Sequence, residues 1–305
     1  MSRRPAGLRA AAMIHFFPES RAFAVRLARA AELARAPARV HVFPDGESLV
    51  RIRAPAPPHV VLVRSLHDPN AKIVETLLAA DALRRAGARR VTLVAPYLPY
   101  MRQDRVFHPG EPVSQRVIGT LLGERFDRVI TLEPHLHRAR RLGDVMPGRS
   151  RSIPAAPAVA AFLEGARGCL LAGPDEESAP WIRAIARGAG LPWVVGRKTR
   201  ASDRSVRVAF PDLEGGRRGI LRRAVIVDDI ASSGATLAAA ARALKKAGIA
   251  AVDAIVVHAI FARGALACCR AAGIRRILST DTIPHSTNAI AVAPLVARAL
   301  APDAR

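Results

Sequence analysis

Between His59 and Ala95 the chain runs HVVLV, then AKIVETLLAADALRRAGA, then RRVTLVA. β-Branched apolar residues suit a pleated surface buried on both sides, whereas Ala and unbranched residues suit a helix. Two strands joined through a helix pair in parallel, and a parallel sheet needs helices over its faces. This stretch therefore commits the chain to an α/β architecture.

The alternation recurs on either side. MIHFF reads as a strand and SRAFAVRLARAAELA as a helix, with Ser20 at the N-cap position. ARVHVF and SLVRIRA read as strands that reverse at PDGE. The helix that follows Asp68 stops at Gly87, another occupies the region of Pro112 to Gly123, and DRVITLEP is a further strand. VMPGRSRSIPAAPAV is rich in Pro, Gly, Ser and Arg, which predicts a linker. Beyond it GCLLAGPD, APWIRAIARGAG and LPWVVGRK restart the pattern. Thr199 to Val206 is polar and reads as a mobile loop; AVIVDDIASSGATLAAAARAL, AAVDAIVVHAIF, a helix and RRILSTDTIP follow. The expected organisation is two tandem domains of one kind, 1–150 and 151–289. Each is a mostly parallel sheet flanked by helices, and 290–305 is free to rejoin the first.

No apolar run approaches the ~20 residues that cross a bilayer. The basic, Ala-rich start MSRRPAGLRAAAM lacks the long apolar core of an export signal. Three cysteines, Cys169, Cys268 and Cys269, follow no framework spacing, which points to a reducing compartment. The expectation is a cytoplasmic protein with no membrane partner. The formal charge of +22 is nearly all arginine, since Lys72, Lys198, Lys245 and Lys246 are the only lysines. Such a charge suits polyanions, but aromatics make up only 4% of the chain, so a base-stacking groove for nucleic acid is not expected.

Two adjacent acids, Asp228 and Asp229, stand at the end of the apolar run AVIV. The ends of parallel strands are where such sheets bind ligands. The next residues, Ser232, Ser233, Gly234, Ala235 and Thr236, offer backbone N–H groups, hydroxyls and the positive start of a helix, which together make a phosphate cradle. Carboxylates would repel a phosphate that touched them. A sugar phosphate reconciles the two, its phosphate in the loop and its ring hydroxyls on the acids. Helix capping by Asp and Ser would also account for the same residues.

The run resembles the fingerprint of the type I phosphoribosyltransferase fold, with Ser233 where Thr is usual and Ala235 where Gly is usual. Six other segments narrow the likeness: FPDGESLVRI, PYLPYMRQDRVFHPGEPVS, DRVITLEPHLH, GPDEESAPWIRA, RKTR and STDTIPHSTNAI. In order, from Phe43 to Ile290, they resemble the ribose-phosphate pyrophosphokinase family, and PGEP is closest to its archaeal-type sequences. The resemblance implies transfer of the diphosphoryl group of ATP to the anomeric hydroxyl of ribose 5-phosphate, with Mg²⁺. It implies Lys198 and Arg200 as catalytic residues on a closing segment, and His135 and Asp175 on the metal side, with Glu133 where Asp is usual. It places Phe43, Asp45, Glu47, Arg102, Gln103, Asp104 and Arg105 at ATP, and Asp228, Asp229 and residues 232–236 at ribose 5-phosphate. It also implies a homodimer or larger homo-oligomer. A silent or substrate-shifted homologue is the alternative; the presence of Lys198, Arg200, His135 and Asp175 argues against the silent form.

Overall fold

A computed structural model describes residues 12–202, 205–214 and 222–301, with backbone alone at 200–202, 205, 212 and 214. The chain divides into two compact units: Met1–Ile153 with Thr282–Pro284 and Ala293–Arg305, and Pro154–Asp281 with His285–Val292.

The first unit contains β1 (Ala12–Phe16), α1 (Arg21–Ala31), β2 (Ala34–Pro37), β3 (Arg39–Val42), β4 (Ser48–Arg51), β5 (His59–Val63), α2 (Pro69–Arg85), β6 (Arg90–Ala95), α3 (Ser114–Arg125), β7 (Arg128–Leu132) and β8 (Ser150–Ile153). Six strands form one parallel sheet in the order β2-β1-β5-β6-β7-β8. β3 and β4 form a separate antiparallel hairpin. Val60, Leu62, Val91, Leu93 and Val129 of the sheet pack against Leu83 of α2 and Leu122 of α3.

The second unit contains α4 (Ala156–Phe162), β9 (Cys169–Gly173), α5 (Ala179–Ala189), β10 (Trp193–Val195), β11 (Arg197–Ser202), β12 (Ser205–Ala209), α6 (Pro211–Glu214), β13 (Arg223–Ala231), α7 (Ala235–Lys246), β14 (Ala251–Ala259), α8 (Ala265–Ala271), β15 (Ile274–Thr280) and β16 (Asn288–Ile290). Its parallel sheet runs β10-β9-β13-β14-β15-β16. Successive residues of β13 feed opposite cores: Ala224 and Ile226 face the cluster that holds Leu237 and Leu244 of α7, while Val225 and Val227 face the one that holds Val159 of α4 and Ile182 of α5. Both faces are buried, so the strand reads as a continuous apolar run. The last helix, α9 (Ala293–Leu300), belongs to the first unit and packs on α1.

Four local expectations differ from the structure. Ser20 does not cap α1 with its side chain. Its Oγ instead accepts the N–H of Ser65 at 3.0 Å, and a short 3₁₀ turn containing Pro18 leads into the helix. That helix stops at Ala31, where Glu32 turns left-handed (φ 55°), and ARAP becomes the edge strand β2. Pro is tolerated there because an edge needs fewer N–H donors. Within the expected linker, Ser150–Ile153 is β8, paired with β7 and anchored by buried Ile153. The expected loop at Thr199–Val206 is part of an antiparallel ribbon in which β11 pairs with β12.

Candidate functional site

The second unit brings an acidic cluster to the ends of its strands. Asp228 and Asp229 lie inside β13 rather than beyond it, and Asp228 is still in register with Val256. The backbone fixes both side chains: Asp229 N–H donates to Asp228 Oδ1 at 3.1 Å, and Ile230 N–H to Asp229 Oδ1 at 2.7 Å.

The loop that follows rests on α8. Ala262 N–H donates to the carbonyl of Ser232 at 3.0 Å, and Cys269 Sγ lies 3.6 Å from the carbonyl of Gly234. Gly234 has φ 76°, and a Cβ there would fall 2.8 Å from Cys269 Sγ and 3.0 Å from the Ala265 carbonyl. Glycine is thus required by both backbone and packing. α7 starts directly afterwards at Ala235, whose N–H donates to Ser233 Oγ at 3.4 Å, and Thr236 sits in its first turn. A helix of 12 residues thus opens its N-terminus onto the loop, the arrangement that attracts a phosphate. The support from Ala265 and Cys269 had no local signal in the sequence, because it comes from another strand crossover.

Asp175 follows β9 and caps the turn Glu176–Ser178, its Oδ1 accepting from Ser178 N–H at 3.2 Å. Its Oδ2 accepts from Lys198 Nζ at 2.9 Å, and both side chains are mostly buried. Lys198 is the second residue of β11, opposite Val208 of β12, and β12 packs on α7. Gly196 makes this approach possible: a Cβ there would sit 2.8 Å from Val208 Cγ1 and 2.9 Å from the Pro174 carbonyl. The backbone of Arg200 pairs with Val206; its side chain lies outside the described residues.

The charges at these strand ends perturb Asp228. The Asp228 carboxyl is pushed well above its ordinary pKa, first by burial, then by Asp229 and Asp175; Lys198 and the Asp229 N–H pull the other way. Lys198 thus pairs with Asp175 and also acts on Asp228.

In the first unit, PDGE closes the β3–β4 hairpin through Phe43 N–H to the Glu47 carbonyl (2.8 Å) and Gly46 N–H to the Phe43 carbonyl (2.9 Å). Asp45 Oδ1 accepts the N–H of Glu47 at 3.0 Å. Phe43 is half-exposed and edge-on to His41, with ring centroids 4.8 Å apart. Both rings line a concavity of about 390 Å³ with Arg39, Val40, Leu49 and Arg51. In the loop before α3, Ser114 Oγ donates to Gln103 Oε1, Asp104 lies 3.6 Å from Arg138, and the Arg105 guanidinium lies 4.9 Å from the Phe107 ring. Arg102 is exposed. After β7, Glu133 is left-handed (φ 34°), and His135 meets His137 edge-on at 3.9 Å. His135 thus belongs to the first unit and Asp175 to the second.

Among the described residues no three His, Cys, Asp or Glu side chains form a ready metal cage. Mg²⁺ takes one or two carboxylates, keeps several waters and draws its other ligands from substrate phosphates. The carboxylate oxygens of Asp175 and Asp228 suit this hard ion in type; the nitrogen of His135 suits it only through water.

Known proteins agree with this architecture. The sequence profile of the N-terminal domain of ribose phosphate pyrophosphokinase matches residues 13–125, and that of the phosphoribosyl transferase domain matches residues 164–283. The ribose-phosphate pyrophosphokinase of Methanopyrus kandleri is 34% identical over 282 residues, covering 90% of this chain and 94% of that one. Ribose-phosphate pyrophosphokinase 2 of Archaeoglobus fulgidus is 34% identical, covering 92% and 97%. The crystal structure of phosphoribosylpyrophosphate synthetase from Mycobacterium smegmatis shares the fold with a TM-score of 0.78, at 23% identity, over 94% of this chain and 97% of that one.

Proposed function

The chain belongs to the ribose-phosphate pyrophosphokinase family, and from that premise we propose how its residues carry out the family's reaction. The enzyme transfers the β,γ-diphosphoryl group of ATP to the anomeric hydroxyl of ribose 5-phosphate. The anomeric oxygen bonds to the β-phosphorus, the bond from that phosphorus to the α-phosphate oxygen breaks, and the hydroxyl proton is lost. Phosphoribosyl pyrophosphate and AMP result.

The observation that carries the residue assignment is the meeting of Asp175, Lys198 and Asp228 at the ends of β9 and β13, where the Asp228 carboxyl is pushed up. The loop Ser232, Ser233, Gly234, Ala235, Thr236 takes the 5-phosphate, and Asp228 and Asp229 accept hydrogen bonds from the ribose hydroxyls. Asp175 is the metal residue of the second unit, and His135, in the first, would take part only through water. Bound Mg²⁺ supplies neutralisation of the phosphate charge during transfer. Lys198, resting on Asp175, exchanges that carboxylate for the transferring group, and Arg200 assists from the same ribbon. Closure of such a ribbon excludes water and adds positive charge where negative charge spreads.

On the ATP side, Phe43 offers a ring face to adenine, and Asp45 and Glu47 offer acceptors to its amino group. Arg102 and Gln103 reach the phosphates, supported by Asp104 and Arg105. The first unit is thus the ATP side and the second the sugar-phosphate side. A homodimer is the minimal assembly; Val42, Phe43 and Leu49, apolar and exposed on the hairpin, support a covering partner. No helix among the described residues is long and apolar enough to cross a membrane. Three cysteines without framework spacing support a cytoplasmic location.

One incubation tests the reading: protein, ATP, ribose 5-phosphate and Mg²⁺, with nucleotide products separated. AMP formed in step with phosphoribosyl pyrophosphate is expected. ADP would instead indicate single-phosphoryl transfer and overturn the proposal.

A further inference from the structure

Beneath the hairpin that carries Phe43, Asp45 and Glu47 lies a buried polar chain with no part in the chemistry above. Arg64 follows β5 and is 4% exposed. Its guanidinium is held on every side. Nε donates to Glu19 Oε1 at 2.7 Å, Nη2 to Glu75 Oε2 at 2.5 Å and Nη1 to the Lys72 carbonyl at 3.1 Å. The Phe17 ring lies 3.7 Å from its central carbon. A planar cation fixed in this way fixes its partners, because a fork accepts few geometries. Glu75, buried on α2, keeps its second oxygen directed away from Arg64, and Ser48 Oγ donates to that oxygen at 2.9 Å.

Ser48 is the first residue of β4, directly after the turn. The base of the hairpin is held by Val40, Val50 and Ile52, which pack on the core. The turn end has no comparable apolar support: Val42, opposite Ser48, is 58% exposed. We propose that Ser48 and Glu75 are positioning residues, through which the Arg64 network sets the height and tilt of the Phe43–Glu47 turn for ATP. This rests on the reading of that turn as the ATP side. Neither residue touches the reacting atoms, so the chain acts on nucleotide affinity and leaves the sugar phosphate alone.

The test is a set of full-length variants assayed for KM of each substrate, kcat and melting temperature. Ser48→Ala removes the tether and leaves the Arg64–Glu75 pair. It is expected to raise KM for ATP about ten-fold or more, the order of one hydrogen bond to a charged acceptor. KM for ribose 5-phosphate and kcat should stay within about two-fold. Ser48→Thr, which keeps the hydroxyl, should restore the ATP value. Asp45→Asn is the reference for the underlying reading and should itself raise KM for ATP. If Asp45→Asn does so and Ser48→Ala does not, the positioning role is overturned while the ATP-side reading stands. If neither variant changes it, the ATP-side reading falls and takes the inference with it. A lower melting temperature with no difference between the two substrates would make the tether purely structural, and also overturns the proposal.

Discussion

The two ends of the second unit's sheet treat the same residue type in opposite ways. At the strand starts, buried Asp253 of β14 is surrounded by arginines: Arg276 at 2.9 Å, Arg275 at 3.6 Å and Arg223 at 3.7 Å. Burial pushes its carboxyl up, but the Arg276 hydrogen bond and the three positive charges bring it below its ordinary value. At the strand ends, Asp228 has two carboxylate neighbours and one lysine, and its carboxyl rises. Burial opposes ionisation at both ends, so the sign follows from the supply of cations. One end is an oversupplied structural network. At the other, Asp229 and Asp175 add to burial and outweigh Lys198, and a carboxyl perturbed in this way is a candidate for a working site.

The largest effect should come from Lys198, the cation that pairs with Asp175 and acts on Asp228. Lys198→Ala is expected to lower kcat by roughly 10²–10³-fold, the range for loss of one transition-state charge contact. Steady-state rates would measure it, and turnover within a few-fold of the parent would break the assignment. Gly234→Ala comes next. The crowding against Cys269 and Ala265 forces the loop to shift, so KM for ribose 5-phosphate should rise about ten-fold or more, a loss of order 1.4 kcal/mol. An unchanged KM would show that the loop does not hold the sugar phosphate.

The pH dependence sharpens the contrast directly. Asp228 holds its proton in the native protein at a pH where the unfolded chain has lost it. Its contribution is full below the ordinary carboxylate value of about 4 and is lost as pH rises through the higher native value. Asp253 does the reverse: its contribution is present above about 4 and disappears as pH falls through its depressed native value. Ligand-free Asp228→Asn should therefore melt higher than the parent at neutral pH, with a flatter profile above pH ~4, while losing activity. The smallest effect belongs to Asp253→Asn, which should lower the melting temperature by roughly 2–4 °C at neutral pH with activity retained. Scanning calorimetry across pH reads both, and slopes of the same sign would remove the distinction.

Much of this architecture is legible in the sequence because it depends on local pattern. The β13 run, the PDGE turn and the small-residue loop before α7 each show in a few consecutive residues. What escapes is of two kinds. β2 and β8 are sheet edges, and edges lack the apolar run that marks an inner strand. The ribbon residues RKTRAS carry charge where a strand usually carries apolar alternation, so composition points to a loop. The second kind is pairing across the fold. Lys198 with Asp175, Ser48 with Glu75 and Asp253 with Arg276 are each neighbours only because of sheet order or helix crossover, which no local window contains. Candidate residues could therefore be named from the sequence, but not their partners or the charges that act on Asp228.

The placement of α9 on α1 also bears on how the protein is made. The second unit is an insertion in the connectivity of the first, between β8 and α9. On the ribosome, the face of α1 that α9 covers stays bare while the whole second unit is synthesised and folds. The earliest-made unit is thus among the last to be finished. A chain interrupted before Ala293 would expose an apolar face of the kind that chaperones and proteases recognise.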